Sequence, residues 1–328
     1  MKHCGALLGL AIGDALGTTH EFEEMAPPPF PQLASAPLTG IVGGGPFGLD
    51  AGQVTDDTQM ACCLYATLRS GSFDPNDAAR RYVEWSAVAF DIGTQTSSAL
   101  ARVAHGESPI EAGRNVWLRS GRNAAGNGSL MRTAPIGAIL SATERERRLA
   151  SLADSAITHF DPRCRVACAA FNAAIAVAVS GAGGAKDMWS AAEAEIAVAA
   201  ELVADQYEAD ELECAVSALK TDLQMAAQSD PELYGPELHL HHHQGFVRVA
   251  FRLAFWELLH RPMFRDAVLD AANRGGDADT NAAIVGALVG SSVGMDGIPP
   301  EWRTAVLGCE PSGPAVWSTT YHPKIFEC

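Results

Sequence analysis

The chain has 328 residues, 48% of them hydrophobic, and a formal net charge of −16. That length suits one large domain or two smaller ones, and the apolar content supports a sizeable core. The acidity excludes general affinity for nucleic acid or anionic membrane, both of which require basic surface.

Taken in chain order, residues 5–16 form a helix-like run of small and aliphatic side chains. Lys2 precedes apolar residues, but Asp14 interrupts them too early for a secretory signal. Gly17 reads as a C-terminal stop that leaves Glu21 on the following loop. Pro27-Pro28-Pro29-Phe30-Pro31 excludes helix and reads as a stiff surface excursion. Residues 38–42 are the one segment that invites a strand. The glycine-rich stretch 41–52 formally contains GxGxxG at Gly43, Gly45 and Gly48, but Pro46 interrupts it and no helix opens until after residue 56, so a dinucleotide fold does not follow.

Helix-like composition then covers residues 58–70, 76–90, 94–105, 143–156, 163–179, 189–206, 209–228, 244–259, 264–273 and 280–294. The fold class expected is all-α: one compact multi-helix domain spanning residues 1–328, with no internal linker. Runs 5–16, 166–179 and 282–294 are built of tiny side chains that let helices approach closely, so they are expected to form a central layer. As membrane spans, residues 166–185 are too rich in Ala and Gly and contain Asn172, and residues 282–294 are too short. Both read as buried helices, with no membrane span expected. The acidic, amphipathic stretch 193–230 is expected to face solvent, and His239-Leu240-His241-His242-His243 to form a polar interhelical loop rather than a soft-metal site. Eight cysteines without a CxxC pair fit reduced thiols and a cytoplasmic protein. A soft site from His159, Cys164 and Cys168 is the minor alternative there.

Two acidic clusters stand out: Thr55-Asp56-Asp57-Thr58 and Gly275-Gly276-Asp277-Ala278-Asp279-Thr280, each opening a small-residue helical run. Asp and Thr are favoured N-caps, and Asp57 and Asp279 could cap helices starting at Thr58 and Thr280. One cap needs one carboxylate, however, and each cluster has two. If the clusters meet, their four carboxylates and threonine hydroxyls form a hard-oxygen set suited to two Mg²⁺ or Mn²⁺ ions. Composition alone leaves both readings open. Gly126-Asn127-Gly128-Ser129-Leu130-Met131-Arg132 is a further unusual loop, in which Gly and Asn permit positive φ and could aim backbone N–H groups at an anion such as a diphosphate.

Together the stretches 9–17, 52–58, 125–132 and 275–280, in that order and spacing, resemble the ADP-ribosylglycohydrolase family over about residues 4–298. The run Val42-Gly43-Gly44-Gly45 and the stretch Asp91-Ile92-Gly93-Thr94 resemble the bacterial branch that removes ADP-ribose from arginine of dinitrogenase reductase. The resemblance implies an all-α fold with a binuclear Mg²⁺ or Mn²⁺ cleft. By motif it implies Thr55, Asp56, Asp57, Asp277, Asp279 and Thr280 as metal ligands. It further implies Glu21 and Asp91 as acidic groups at the reaction centre, Gly126, Asn127, Gly128, Ser129 and Met131 as the diphosphate loop, and His159 as a wall of the ADP-ribose cleft. Three stretches depart from the family pattern: Ala51, in place of a common proline, loosens its loop slightly without touching a ligand, the His239–His243 tract implies a different rim toward a modified protein, and the Pro27–Pro31 excursion is individual to this chain.

The chemistry expected is hydrolysis of the N-glycosidic bond between ADP-ribose and arginine on a modified protein, releasing ADP-ribose. Paired cations would fix the ribose hydroxyls and acidify a water, and Glu21 and Asp91 would divide acid and base work in an order the sequence leaves open. The alternatives are another linkage, such as serine-linked ADP-ribose or O-acetyl-ADP-ribose, and a non-catalytic ADP-ribose-binding protein on the same scaffold. A P-loop and the adjacent His-Asp pair of helical phosphohydrolases are both missing.

Overall fold

At the centre of the structure, a computed structural model describing residues 1–328, two helices touch backbone to backbone. Helix α1 (Lys2–Gly17) and helix α13 (Ala278–Val293) run antiparallel. Gly5, Gly9, Gly13 and Gly17 recur every four residues, so they fall on one stripe of α1. They face Gly290, Gly286, Ala282 and Ala278 in turn: a Cβ on Gly9 would strike the Gly286 carbonyl, and one on Gly286 the Gly9 carbonyl. Glycine in a helix interior costs about 1 kcal/mol relative to alanine. Here close approach of two backbones offsets that cost, through dispersion and Cα–H···O contacts. The third small-residue helix, α8 (Pro162–Ser180), packs against this pair, so the expected central layer holds. Its apolar surface is buried inside the protein.

The remaining helices wrap this layer in the order α2 (Asp56–Leu68), α3 (Pro75–Ser86), α4 (Thr94–Ala104), α5 (Pro109–Arg119), α6 (Ala134–Ile139), α7 (Glu144–Thr158), α9 (Ala185–Glu201), α10 (Ala209–Ala226), α11 (Val247–His260), α12 (Phe264–Asn273) and α14 (Pro300–Gly308). One hydrophobic cluster of 81 buried residues runs through the chain from Ala6 to Phe326, with a small satellite of Trp117, Ala156 and Phe160 beside it. Sequence composition missed α5, α6 and α14. Each has proline at its start, and α6 is only six residues long.

Several expectations are corrected. Residues 38–42 form no strand: Leu38 donates to Asn273 Oδ1 at 2.8 Å and accepts from Asn273 Nδ2 at 3.1 Å, so a buried side chain replaces a sheet partner. The Pro27–Pro31 segment is not a free excursion. Arg274, fully buried, donates to the carbonyls of Pro28 and Gln32, and its guanidinium lies 3.6 Å from the Phe30 ring centroid. Gly17 does not stop α1 through a left-handed turn; Thr18 stays right-handed and a 3₁₀ turn (Thr18–His20) carries the chain onward to Glu21. Helix α3 ends at Ser86 rather than near 90, which frees residues 87–93 to present Asp91.

One buried carboxyl lies outside any site. Glu257 on α11 is fully buried, with neither side-chain oxygen partnered. Burial, then the neighbouring Asp270 carboxylate, holds its pKa well above the ordinary glutamate value. Folding therefore retains a proton that the unfolded chain releases above about pH 4.3, so Glu257 detracts from stability as pH rises past that point. Glu257→Gln is expected to stabilise the protein on the order of 1–3 kcal/mol at pH 8 and hardly at all at pH 4. Urea melts of both proteins at the two pH values check this; a gain of equal size at both would exclude titration as its source.

Candidate active site

The first acidic cluster opens α2, and its cap comes from elsewhere in the chain. Asp14, buried in α1, accepts from the Thr55 N–H at 3.0 Å, the Thr58 N–H at 3.1 Å, the Thr55 hydroxyl at 2.9 Å and the Thr58 hydroxyl at 2.5 Å. It thus takes up two of the N–H groups at the start of α2. The capping role read for Asp57 is therefore overturned: α2 begins at Asp56, and both of its acidic side chains are spared for other work. Asp57 Oδ1 is buried with no partner. Sequence reasoning missed Asp14 as a site residue. The available signal was a lone carboxylate inside an otherwise apolar helix.

The second cluster opens α13 and follows a turn that only glycine can make. Gly275 and Gly276 both have φ +72°, and a Cβ on Gly276 would meet the Leu240 carbonyl. The helix begins at Ala278, so Asp279 lies inside the first turn and no side chain caps it. Asp279 instead accepts from the adjacent Thr280 N–H at 2.8 Å, and Asp277 Oδ2 accepts from Asn127 Nδ2 at 2.6 Å.

The two clusters converge. Single oxygens of Glu21, Asp91 and Asp279 lie within 4.8 Å of one another. Of the fourteen residues singled out from sequence, all but Thr55, Asp57 and Ser129 line one cleft of about 240 Å³. Those three sit behind its wall. Phe22, Gly93, Thr94, Gln95, Thr96 and Gly245 also line it and were not foreseen. No Lys or Arg side chain lines it.

Burial dominates the electrostatics, and crowding of like charge adds to it. Burial, then the charges of Asp91, Asp277 and Asp14, pushes Glu21 up to about 9. Burial first and Asp277 second hold Asp91 up to about 6, and burial brings Asp14 to about 6 against its four hydrogen bonds. Asp56, Asp57 and Asp279 are raised well above the usual carboxylate range by burial and by one another, and Asp277 is raised by burial. Carboxylates packed like this ionise together only when cations sit among them. Orphaned buried oxygens on Glu21 and Asp57, a hard-oxygen donor set and a wall free of basic side chains all fit divalent metal.

The loop 126–132 forms the opposite wall. Its glycines do not have positive φ, contrary to the expectation. They are required by contact instead: a Cβ on Gly126 would lie 3.0 Å from His159 Nε2, and one on Gly128 2.9 Å from His159 Cε1. Gln95 locks the loop, accepting from Gly126 N–H at 3.3 Å and donating to the carbonyls of Ala124 and Thr158 at 3.2 Å. Beneath it Arg132 donates to the Gly128 carbonyl at 3.0 Å and pairs with buried Asp154 at 3.2 Å. No backbone acceptor claims the Gly128 and Ser129 N–H groups. His159 is buried, bonded through Nδ1 to Thr158 Oγ1 at 2.8 Å, and held neutral, its pKa lowered by burial and by Arg132.

The soft-metal alternative is not built. Cys164 Sγ donates to the Gly126 carbonyl and Cys168 Sγ to Ser129 Oγ, and burial raises both thiols. His239 and His242 stack 3.9 Å apart in a loop, as composition suggested. A larger hollow of about 440 Å³ beside Trp117 has its arginines already paired, Arg122 with Glu211, Arg163 with Asp161 and Arg248 with Asp222.

An all-helical core thus holds an acidic cleft against the loop 126–132. The chain belongs to the ADP-ribosylglycohydrolase family, whose profile matches residues 2–318. It is 32% identical over 315 residues to the ADP-ribosylarginine hydrolase Tri1 of Pseudomonas putida (strain GB-1), covering 91% of this chain and 72% of that protein. It is 27% identical over 304 residues to the ADP-ribosyl-[dinitrogen reductase] glycohydrolase of Rhodospirillum rubrum, covering 91% of this chain and 87% of that one. A solved structure described as an ADP-ribosylglycohydrolase-related protein complex superposes with a TM-score of 0.70 at 26% identity, over 99% of this chain and 95% of its own.

Proposed function

We propose that this protein hydrolyses the N-glycosidic bond between ADP-ribose and an arginine side chain of a modified protein, with two divalent cations, Mg²⁺ or Mn²⁺, in the cleft. The observation that carries this reading is the junction of seven carboxylates (Asp14, Glu21, Asp56, Asp57, Asp91, Asp277 and Asp279) with a loop bearing free backbone donors, tied together by the Asn127–Asp277 hydrogen bond. Two relatives named ADP-ribosylarginine hydrolase support the choice of linkage.

In this reading Asp56, Asp57, Asp277 and Asp279, with Thr55 and Thr280, hold the cations. When bound, the metals would supply a fixed frame for the ribose hydroxyls and a more acidic water. The chain's own groups account for the rest. The Gly128 and Ser129 N–H groups bind the diphosphate, and the neutral His159 ring and Met131 wall the nucleotide side. Asp91 and Glu21, which meet at the cleft, share the proton transfers: one takes the proton from the water that attacks the ribose anomeric carbon, and the other returns one to the departing guanidine nitrogen as the C–N bond breaks. The bonding pair leaves with nitrogen, and the arginine ends as an ordinary guanidinium. The unpaired state of all eight cysteines supports a reducing, cytoplasmic setting.

A linkage panel tests the proposal. With Mg²⁺ or Mn²⁺ present, ADP-ribose is expected to be released from arginine-modified protein at least tenfold faster than from serine-modified protein or O-acetyl-ADP-ribose, and chelation is expected to stop release. Faster turnover of another linkage, or undiminished turnover under chelation, would reject it.

A further inference from the structure

We propose that Phe22 is the platform on which the departing arginine side chain stacks, and that its ring gives the cleft its preference for a planar, cationic leaving group. This rests on the arginine-linkage reading above. Phe22 has φ +62°, in the left-handed region that costs a non-glycine residue about 1 kcal/mol or more. Two backbone hydrogen bonds hold it there, from Phe22 N–H to the Gly276 carbonyl at 2.6 Å and from Gly276 N–H to the Glu23 carbonyl at 2.8 Å. The strained residue is thereby fastened to the turn that delivers Asp277 and Asp279. The ring gains nothing for the core in return, being 57% exposed. It nevertheless lines the cleft, where Met131 on the nucleotide loop is the only other apolar side chain.

An exposed aromatic ring held at an unfavourable backbone angle beside a polar cleft points to a ligand contact rather than a folding role. Its neighbour in sequence, Glu21, meets Asp91 and Asp279 at the reaction centre, so the ring flanks the bond to be broken. The nucleotide would be drawn the other way, toward the loop packed on His159. A guanidinium is planar and weakly hydrated and stacks readily on an aromatic face, whereas a serine hydroxyl has nothing to stack.

Phe22→Gly, Phe22→Leu and Phe22→Trp separate the possibilities, since glycine accepts the left-handed angle and should fold at least as well as the parent. For the metal-loaded enzyme acting on ADP-ribosyl-arginine, kcat/KM is expected to fall about 5- to 30-fold in the Gly and Leu variants and to stay within about threefold in the Trp variant. Competitive inhibition by ADP-ribose is expected to stay within about twofold throughout, while inhibition by agmatine, a bare guanidinium probe, weakens in the Gly and Leu variants. An unchanged kcat/KM in Phe22→Leu, a parallel loss of ADP-ribose affinity, or agmatine inhibition indifferent to the ring overturns the proposal. A parent enzyme that binds ADP-ribose and cleaves only other linkages overturns the functional reading instead, and the agmatine series still decides the role of the ring.

Discussion

Asp279→Asn is expected to lower kcat/KM on ADP-ribosyl-arginine by on the order of 10³-fold or more, and at the same time to raise the stability of the metal-free protein at pH 8. The two effects share one cause. Asp279 is buried among Asp57, Glu21, Asp277 and Asp14, and its pKa is raised first by burial and then by those charges. A carboxyl with a raised folded pKa contributes least to stability at high pH, because the unfolded chain has already released the proton that the fold retains. Asparagine keeps the shape and removes the charge, so the metal-free fold is relieved above about pH 4 and unaffected below it. The same change removes an anionic ligand from the proposed cation cradle, which weakens metal binding and the water activation that depends on it. Thermal melts with and without Mn²⁺ check the pair: the stabilisation conferred by the metal should shrink in the variant while the metal-free melting temperature rises at pH 8. A variant that melts lower than the parent without metal, or that turns over at parental rate, would sink the assignment of Asp279 as a ligand.

Gly286→Val is expected to abolish folding, and Gly286→Ala to cost on the order of 2–3 kcal/mol. The reason is that α1 and α13 meet with no side chains between them at Gly9 and Gly286, so an added Cβ meets a carbonyl on a rigid helix rather than a side chain able to turn away. Gly308→Ala is the control. That glycine lies at the end of α14 with nothing within 4 Å of a Cβ, and it has an ordinary backbone angle. There the same substitution should stabilise by up to about 1 kcal/mol, by helix propensity and a less flexible unfolded chain. Urea midpoints of the two alanine variants should therefore move in opposite directions. A Gly286→Ala protein as stable as the parent would mean that the two backbones are not in contact.

Much of this was legible in the chain itself. The two acidic clusters declared themselves by carrying twice the carboxylates that capping requires, and the small-residue runs announced which helices would lie innermost. What stayed hidden depends on contacts across long stretches of sequence. Asp14 caps α2 from 41 residues away, so nothing local to Asp56 and Asp57 reveals that their carboxylates are free. Gly126 and Gly128 read locally as residues for a left-handed turn, yet what demands them is the His159 ring. The unwinding after Ser86 that presents Asp91 was masked by a composition that stays helix-like to residue 90. The burial of Phe30 against Arg274 could not be foreseen from a proline-rich segment.

The antiparallel contact of α1 with α13 has a consequence for how the molecule can vary. Asp14 and Asp279 ride on two rods whose separation is set by backbone contact, glycine facing glycine or alanine, with no rotamers to shift. Substitutions in the outer helices can therefore accumulate without stretching or compressing the cradle, as a vice keeps its jaws aligned while the bench around it is rebuilt. Tolerance to change in this protein should consequently be steeply graded, from nearly free at the periphery to almost none along a single four-residue stripe.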